Sequence, residues 1–251
     1  MKQIIDIVYC KAKSELKAEN SRNYAGFLWW FFEPFMALVV YFVVFKCFLN
    51  IPRDIMGLFL GLITFRWFSS SLARASDSMT DGRRIMLQVY LNKTIFPLAT
   101  IAVNTFKYSL VLILAISIAL ITGQSDFYLS WITLPIIFAL SILLLSGCAF
   151  IVSGLTPFLP DMNLMIGTIL QLFMWMSCVF YTLEDLPAKY QLILRINPVA
   201  VVVNEIRNIL LWGRWPSWEL YPALVLQTVV TVLIGYWLLS KYDRVYPKMT
   251  F

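Results

Sequence analysis

The side chains that could carry chemistry in this sequence are few, and the missing types narrow the options before any pattern is considered. Histidine is absent, which removes the commonest general base and the commonest metal ligand. The four cysteines, Cys10, Cys47, Cys148 and Cys178, are scattered without metal-ligand spacing and read as small buried residues, not a disulfide or redox pair. No G-x-x-x-x-G-K-[ST] run cradles phosphates, and neither G-x-S-x-G nor H-E-x-x-H occurs. Glu184, Asp185 and Glu205 could serve as acid and base in an enzyme acting on lipid-linked substrates, but without histidine or a tight carboxylate cluster that reading is poor. If the chain moves a solute uphill, the energy comes from a partner or an ion gradient.

Two groups of aromatics stand out: Trp29, Trp30, Phe31 and Phe32, and Trp212, Trp215, Trp218 and Tyr221. Trp and Tyr gather at membrane–water interfaces, and that is the default reading. Their faces also stack on sugar rings, so members pointing inward could guide a glycan. Glu33, followed by Pro34, sits at the edge of an apolar run. An ionisable group there faces a bundle interior or an interface, and a structural role outweighs a proton relay.

The elements that hold these residues follow from hydropathy. Of the 251 residues, 60% are hydrophobic and 14% charged, against about 25% charged in soluble domains, and the mean hydropathy is +0.77. Apolar runs cover Phe27–Leu49, Ile55–Leu72, Pro97–Thr122, Trp131–Leu155, Leu164–Leu183 and Leu220–Ser240. Each is near the roughly 20 residues that cross the hydrocarbon core. We therefore expect an all-α membrane protein of six spans, one domain over residues 1–251, with no processed leader. Six spans put both termini on one side. The cytoplasm then receives Lys2, Lys11, Lys13, Lys17, Arg22, Arg74, Arg83, Arg84, Lys93, Lys241, Arg244 and Lys248, and the outside only Arg53, Lys189, Arg195, Arg207 and Arg214, as the positive-inside rule requires. The net charge of +6 is thus a topology signal. It does not point to nucleic acid, because the basic residues are divided among short loops.

Three segments lie outside the spans. Residues 3–19 place Ile5, Val8, Ala12 and Leu16 on one face, a short amphipathic helix for the cytoplasmic interface with its basic side toward anionic headgroups; a frayed tail is the alternative. The loop 74–96 carries Ile85, Met86, Val89 and Tyr90 beside Arg83, Arg84 and Lys93. That pattern fits a docking element for a soluble partner or a helix lying on the membrane. The outer stretch 184–219 holds two helical pieces, Ala188–Ile196 and Val199–Leu211, separated by Asn197-Pro198. It reads as a re-entrant hairpin at a translocation path or an amphipathic loop on the outer leaflet.

Several short runs, in this order, resemble the permease subunits of ABC-2 type polysaccharide exporters. They are Ser21-Arg22-Asn23-Tyr24-Ala25-Gly26-Phe27-Leu28-Trp29 leading into Glu33-Pro34, Pro157-Phe158-Leu159-Pro160-Asp161, Val179-Phe180-Tyr181, Leu186-Pro187, Asn197-Pro198 and Arg207. The family often carries Arg before the aspartate at 161, where this chain has Pro160. The resemblance implies a homodimer of six-helix subunits in the bacterial inner membrane, with two copies of a cytoplasmic ATPase that holds the ATP and Mg²⁺, no cofactor in this chain, and a lipid-linked glycan as cargo. It implies that 3–19 lies at the interface, that 74–96 is the coupling helix, with Asp81, Arg83, Arg84 and Asp161 meeting the ATPase, and that 184–211 shapes the exit. The path past the first and fifth spans would be lined by Trp29, Trp30, Glu33, Trp175, Tyr181, Asn197, Pro198 and Arg207. An ABC-2 exporter of drugs or small lipids shares this architecture and differs in cargo.

Overall fold

A computed structural model describes residues 2–22, 26–48, 54–159 and 161–248, excepting the side chains of residues 2, 3, 22, 45, 46, 184, 188 and 193. Of the residues used above, Asn23, Tyr24, Ala25, Leu49, Arg53 and Pro160 fall outside it, as do the side chains of Lys2, Arg22, Glu184 and Ala188. The described residues form helices and turns, with no strand among them. Helix α1 (Lys2–Arg22) precedes α2 (Trp29–Phe42), which continues as a π-helical stretch over Val43–Phe48, and the two helices meet at 97°. Then come α3 (Ile55–Gln88), α4 (Ile95–Ile121), α5 (Leu134–Leu155), α6 (Met162–Trp175), α7 (Ala188–Ile196), α8 (Pro198–Trp212) and α9 (Tyr221–Lys241). Among the described residues four helical stretches are long and apolar enough to cross a membrane: those built on α3, α4, α5 and α9. They become five if the bent α1–α2 pair is one crossing.

Two expectations change. Residues 74–88 are not a loop but the continuation of the second span. Nothing in Ala73–Gln88 can stop a helix: the stretch holds no proline, one glycine, and mostly residues that tolerate helix well. The rod of 34 residues is therefore about 51 Å long and runs well past a hydrocarbon core of about 30 Å. Conversely, the fifth apolar run, expected through Leu183, ends its helix at Trp175 after 14 residues, about 21 Å. Ser177 Oγ back-bonds to the Phe173 carbonyl at 2.7 Å, and Cys178 takes φ +54°, a left-handed backbone that no helix can continue.

Helix α3 is the centre of the core. Phe59, Leu60, Ile63 and Phe68 pack with Ile101 and Val111 of α4, Leu144 and Leu145 of α5, and Val202, Ile206 and Leu210 of α8. Helices α5 and α9 approach closely through small residues, as apolar helices in lipid do. A Cβ on Gly147 would stand 2.6 Å from both Thr231 Oγ1 and the Val232 nitrogen.

Candidate functional site

A groove of about 510 Å³ runs between α2, α3 and α6. Ala37 and Tyr41 form one wall, Phe65, Arg66, Ser69 and Ser70 the floor, and Gly167, Leu170, Gln171 and Met174 the other wall. Arg66 forms an ion pair with Glu33 across the α2–α3 contact. Both ends of that pair are partly exposed, 41% for Arg66 and 61% for Glu33, so the pair can open toward a ligand at little cost. Ser69 and Ser70 return their hydroxyls to the Arg66 and Trp67 carbonyls at 3.2 and 3.3 Å. The lining thus mixes one cation, hydroxyls and an amide with aliphatic and aromatic surface, and suits a ligand that is itself part polar.

None of the eight residues expected on a path lines this groove; Glu33 meets it through its ion pair with Arg66. Trp30 faces inward, its ring 5.1 Å from Lys107 Nζ, whereas Trp29 lines an apolar hollow with Phe32 and Phe35 on another side of α2. Trp175, 59% exposed, closes the end of α6 with its ring 4.7 Å from Phe180. Tyr181 donates its hydroxyl to the Trp175 carbonyl at 2.7 Å. Asn197 and Pro198 are helix-starting residues. Asn197 Oδ1 accepts from the Val199 and Ala200 nitrogens, its Nδ2 donates to the Met176 carbonyl at 2.8 Å, and Pro198 occupies the first helical turn.

Arg207 is a clamp, not a lining residue. It is 2% exposed. Its Nε donates to the Gly57 carbonyl at 2.8 Å, its Nη1 to Tyr181 at 3.2 Å, and its Nη2 to Cys178 and Val179 at 3.2 and 3.1 Å. The rigid guanidinium fork suits this work. It ties the start of α3 to the turn after α6, and holds the left-handed Cys178 in place. Gly61 is required here by space: a Cβ would collide with the guanidinium and stand 3.1 Å from the Val179 carbonyl. Two of the carboxylates considered for catalysis, Asp185 and Glu205, are also structural. Asp185 Oδ2 accepts from the Thr182 nitrogen at 2.8 Å, and the buried Glu205 accepts from the Ser217 nitrogen at 3.1 Å.

At the opposite end of α3, Asp77 accepts from Asn163 Nδ2, bringing the start of α6, and with it Asp161, beside the end of α3. Burial, and then the nearby Asp81, push the Asp77 carboxyl above its ordinary range, while the Asn163 bond opposes the shift. Asp81 and Arg84 are exposed, and Arg83 is half-buried with its Nε unpartnered among the described residues. Of the expected apolar stripe, Met86 turns inward against Met79, Phe96 and Tyr246, while Ile85, Val89 and Tyr90 stay exposed together with Leu87. Tyr90 donates to Asp243 at 2.9 Å. The exposed patch therefore joins apolar and charged groups at the tip of a rigid rod.

Beside the groove, Glu19 at the end of α1 pairs with Lys107 of α4 and, at 2.8 Å, with Arg74 of α3. Burial acts to raise the Glu19 carboxyl, but the Lys107 hydrogen bond and the two positive charges hold it below the ordinary range. This three-helix knot was not readable from local pattern, since Glu19 and Lys107 lie 88 residues apart.

Comparison with known proteins decides the family. The family model described as ABC-2 type transporter matches residues 12–211. The chain belongs to the ABC-2 type transporter family. Among curated relatives it is 25% identical over 227 residues to an O-antigen export system permease protein of Myxococcus xanthus, covering 88% of this chain and 85% of that protein. It is 20% identical over 241 residues to a protein of the same description from Klebsiella pneumoniae, covering 95% and 92%. It is 24% identical over 229 residues to a polysialic acid transport protein of Escherichia coli, covering 88% and 87%. As an ABC-2 chain with several membrane-capable helices, it is a multi-pass membrane transport protein, and its family implies an ABC ATPase partner. The groove, the rod tip and the Arg207 clamp all lie on elements inside the matched region, save the final contact from Asp243.

Proposed function

We propose that this chain is the membrane subunit of an ATP-driven exporter that moves a lipid-linked polysaccharide across the bacterial inner membrane. The observation that carries the reading is the half-built groove. Helix α6 is apolar and buries only Ile166: Gly167, Leu170, Gln171 and Met174 wall the groove, and Leu164, Ile169, Leu172 and Trp175 stay exposed outside its lining. A second copy related by a twofold axis would cover these faces and close two grooves into one channel. The relatives described as O-antigen and polysialic acid transporters support a glycan cargo, and the mixed lining of Arg66, Gln171 and aromatic surface suits one.

In this reading α2 with its π extension, α3, α4, α5, α6 with the turn that follows it, and α9 are the six crossings, within one domain over 1–251. Both termini are cytoplasmic and α1 lies at the interface. Helices α7 and α8 form the re-entrant outer region, with Asn197, Pro198 and Arg207 fixing its geometry at the exit while Trp30, Glu33, Trp175 and Tyr181 border the path. Asp81, Arg83, Arg84 and Asp161 meet the ATPase, which holds the ATP and Mg²⁺. The test is Gln171→Trp, which fills the groove without touching the rod tip. Export of surface polysaccharide should fall at least tenfold while the ATPase still co-purifies. Unchanged export with a bulky side chain at 171 would remove the groove from the path.

A further inference from the structure

A second cavity, of about 180 Å³, lies where α1, α2, α3 and α4 meet. Three cations line it, Arg66, Arg74 and Lys107, against two carboxylates, Glu19 and Glu33, so it carries one net positive charge. Asn104 also lines it, is only 5% exposed, and leaves Nδ2 without a partner among the described residues. Three residues apart on α4, Asn104 and Lys107 lie on one helix face. A buried amide N–H left unpaired costs about 1–3 kcal/mol, and the carboxylates nearby are already engaged by Arg66, Arg74 and Lys107. What the cavity lacks is an acceptor with negative charge. Helix α2 leads from this cavity to an apolar hollow of about 500 Å³ lined by Leu28, Trp29, Phe32, Phe35 and Leu114, with Trp30 on the polar side and Trp29 on the apolar side. Phosphate-sized polar space and chain-sized apolar space thus share one helix.

We infer that this cavity binds the phosphate of an anionic membrane lipid, with an acyl or prenyl chain of that lipid in the hollow beside Trp29. The phosphate accepts from Asn104 Nδ2 and from the Lys107, Arg74 and Arg66 cations, and its single negative charge neutralises the excess. Phosphatidylglycerol supplies a phosphate of this charge; the added cation of phosphatidylcholine would meet Arg and Lys. The bound lipid fastens α1 to the bundle. The inference rests on the proposed interfacial position of α1, but not on the cargo.

The test is native mass spectrometry of the full chain purified from mixed phosphatidylglycerol and phosphatidylcholine vesicles, which reads bound lipid without any export. The wild-type chain should retain phosphatidylglycerol at least tenfold over phosphatidylcholine, and Asn104→Asp should lower its retention at least tenfold. Arg74→Gln, at a half-exposed position, serves the same purpose if the Asn104 variant does not fold, with a several-fold loss expected. Equal retention of the two lipids, or equal phosphatidylglycerol in wild-type and variant chains, overturns the inference. Displacement of phosphatidylglycerol by an added polyprenyl phosphate, with the same sensitivity to Asn104→Asp, upholds the phosphate site and identifies its source as a carrier lipid.

Discussion

Replacing Arg207 by methionine separates a structural clamp from a residue on the transport path. The substitution keeps much of the buried volume and deletes four hydrogen bonds to the Gly57, Cys178, Val179 and Tyr181 carbonyls. At a net value of about 1 kcal/mol per bond the loss is roughly 4 kcal/mol. Removing a charge from a site that is 2% exposed returns part of its desolvation cost, which leaves about 3 kcal/mol. A chain of this size loses roughly 2–4 °C of melting temperature per kcal/mol, so the variant should melt about 6–12 °C lower in detergent. Arg207→Lys should fall between, because one ammonium cannot fork between α3 and the turn after α6. The assay is a thermal melt of the three purified proteins alongside export of surface polysaccharide. Export should decline in step with the melt. A methionine variant that melts within about 2 °C of wild type and yet exports nothing would refute the clamp and return Arg207 to the path.

Three further outcomes follow from other contacts. Gly147→Leu drives a side chain into Thr231 and Val232 of α9, and at about 1–3 kcal/mol for overpacking should lower the melting temperature and the folded yield. Arg83→Glu with Arg84→Glu should reduce ATPase co-purification at least tenfold while the melt of the isolated chain stays within a few degrees; unchanged binding would move the docking surface elsewhere. Glu19 has a native pKa held below its ordinary 4.5 by Lys107 and Arg74 against the effect of burial. Its contribution is therefore present above that value and lost as pH falls through the lowered native one. A nitroxide on the exposed Cys10, with Cys47 replaced by Ser, should gain mobility as pH drops below about 4.5, and Glu19→Gln should flatten that dependence.

Much of the bundle was legible because lipid imposes a simple rule. Long uninterrupted apolar runs gave α4, α5 and α9 within a few residues, and Asn197-Pro198, with its capping amide and missing N–H, divided α7 from α8 where the structure divides them. Polarity was a poor guide to where helices end. The end of the apolar run at Leu72 marks a change of environment, while Ala73–Gln88 contains nothing that stops a helix, so α3 continues. The fifth run failed in the opposite sense: its hydropathy persists past Trp175, but the left-handed turn at Cys178 is held by Arg207, 29 residues on. The groove and the Glu19 knot were hidden for a related reason, since Arg66 and Glu33, and Glu19 and Lys107, meet only through tertiary packing. Arg207, expected on the path, turned out to be spent on backbone carbonyls.

The uninterrupted length of α3 has a mechanical consequence. A helix of about 51 Å that begins at the Arg207 clamp and ends at the patch around Tyr90 behaves as a lever. A tilt of about 10° around its midpoint displaces each tip by roughly 4 Å, half the length times the sine of the angle. Without a hinge between the tips, force applied at one end reaches the other in the same stroke. On the proposed reading, the clamp at the outer region and the surface that meets the ATPase are then parts of one moving element.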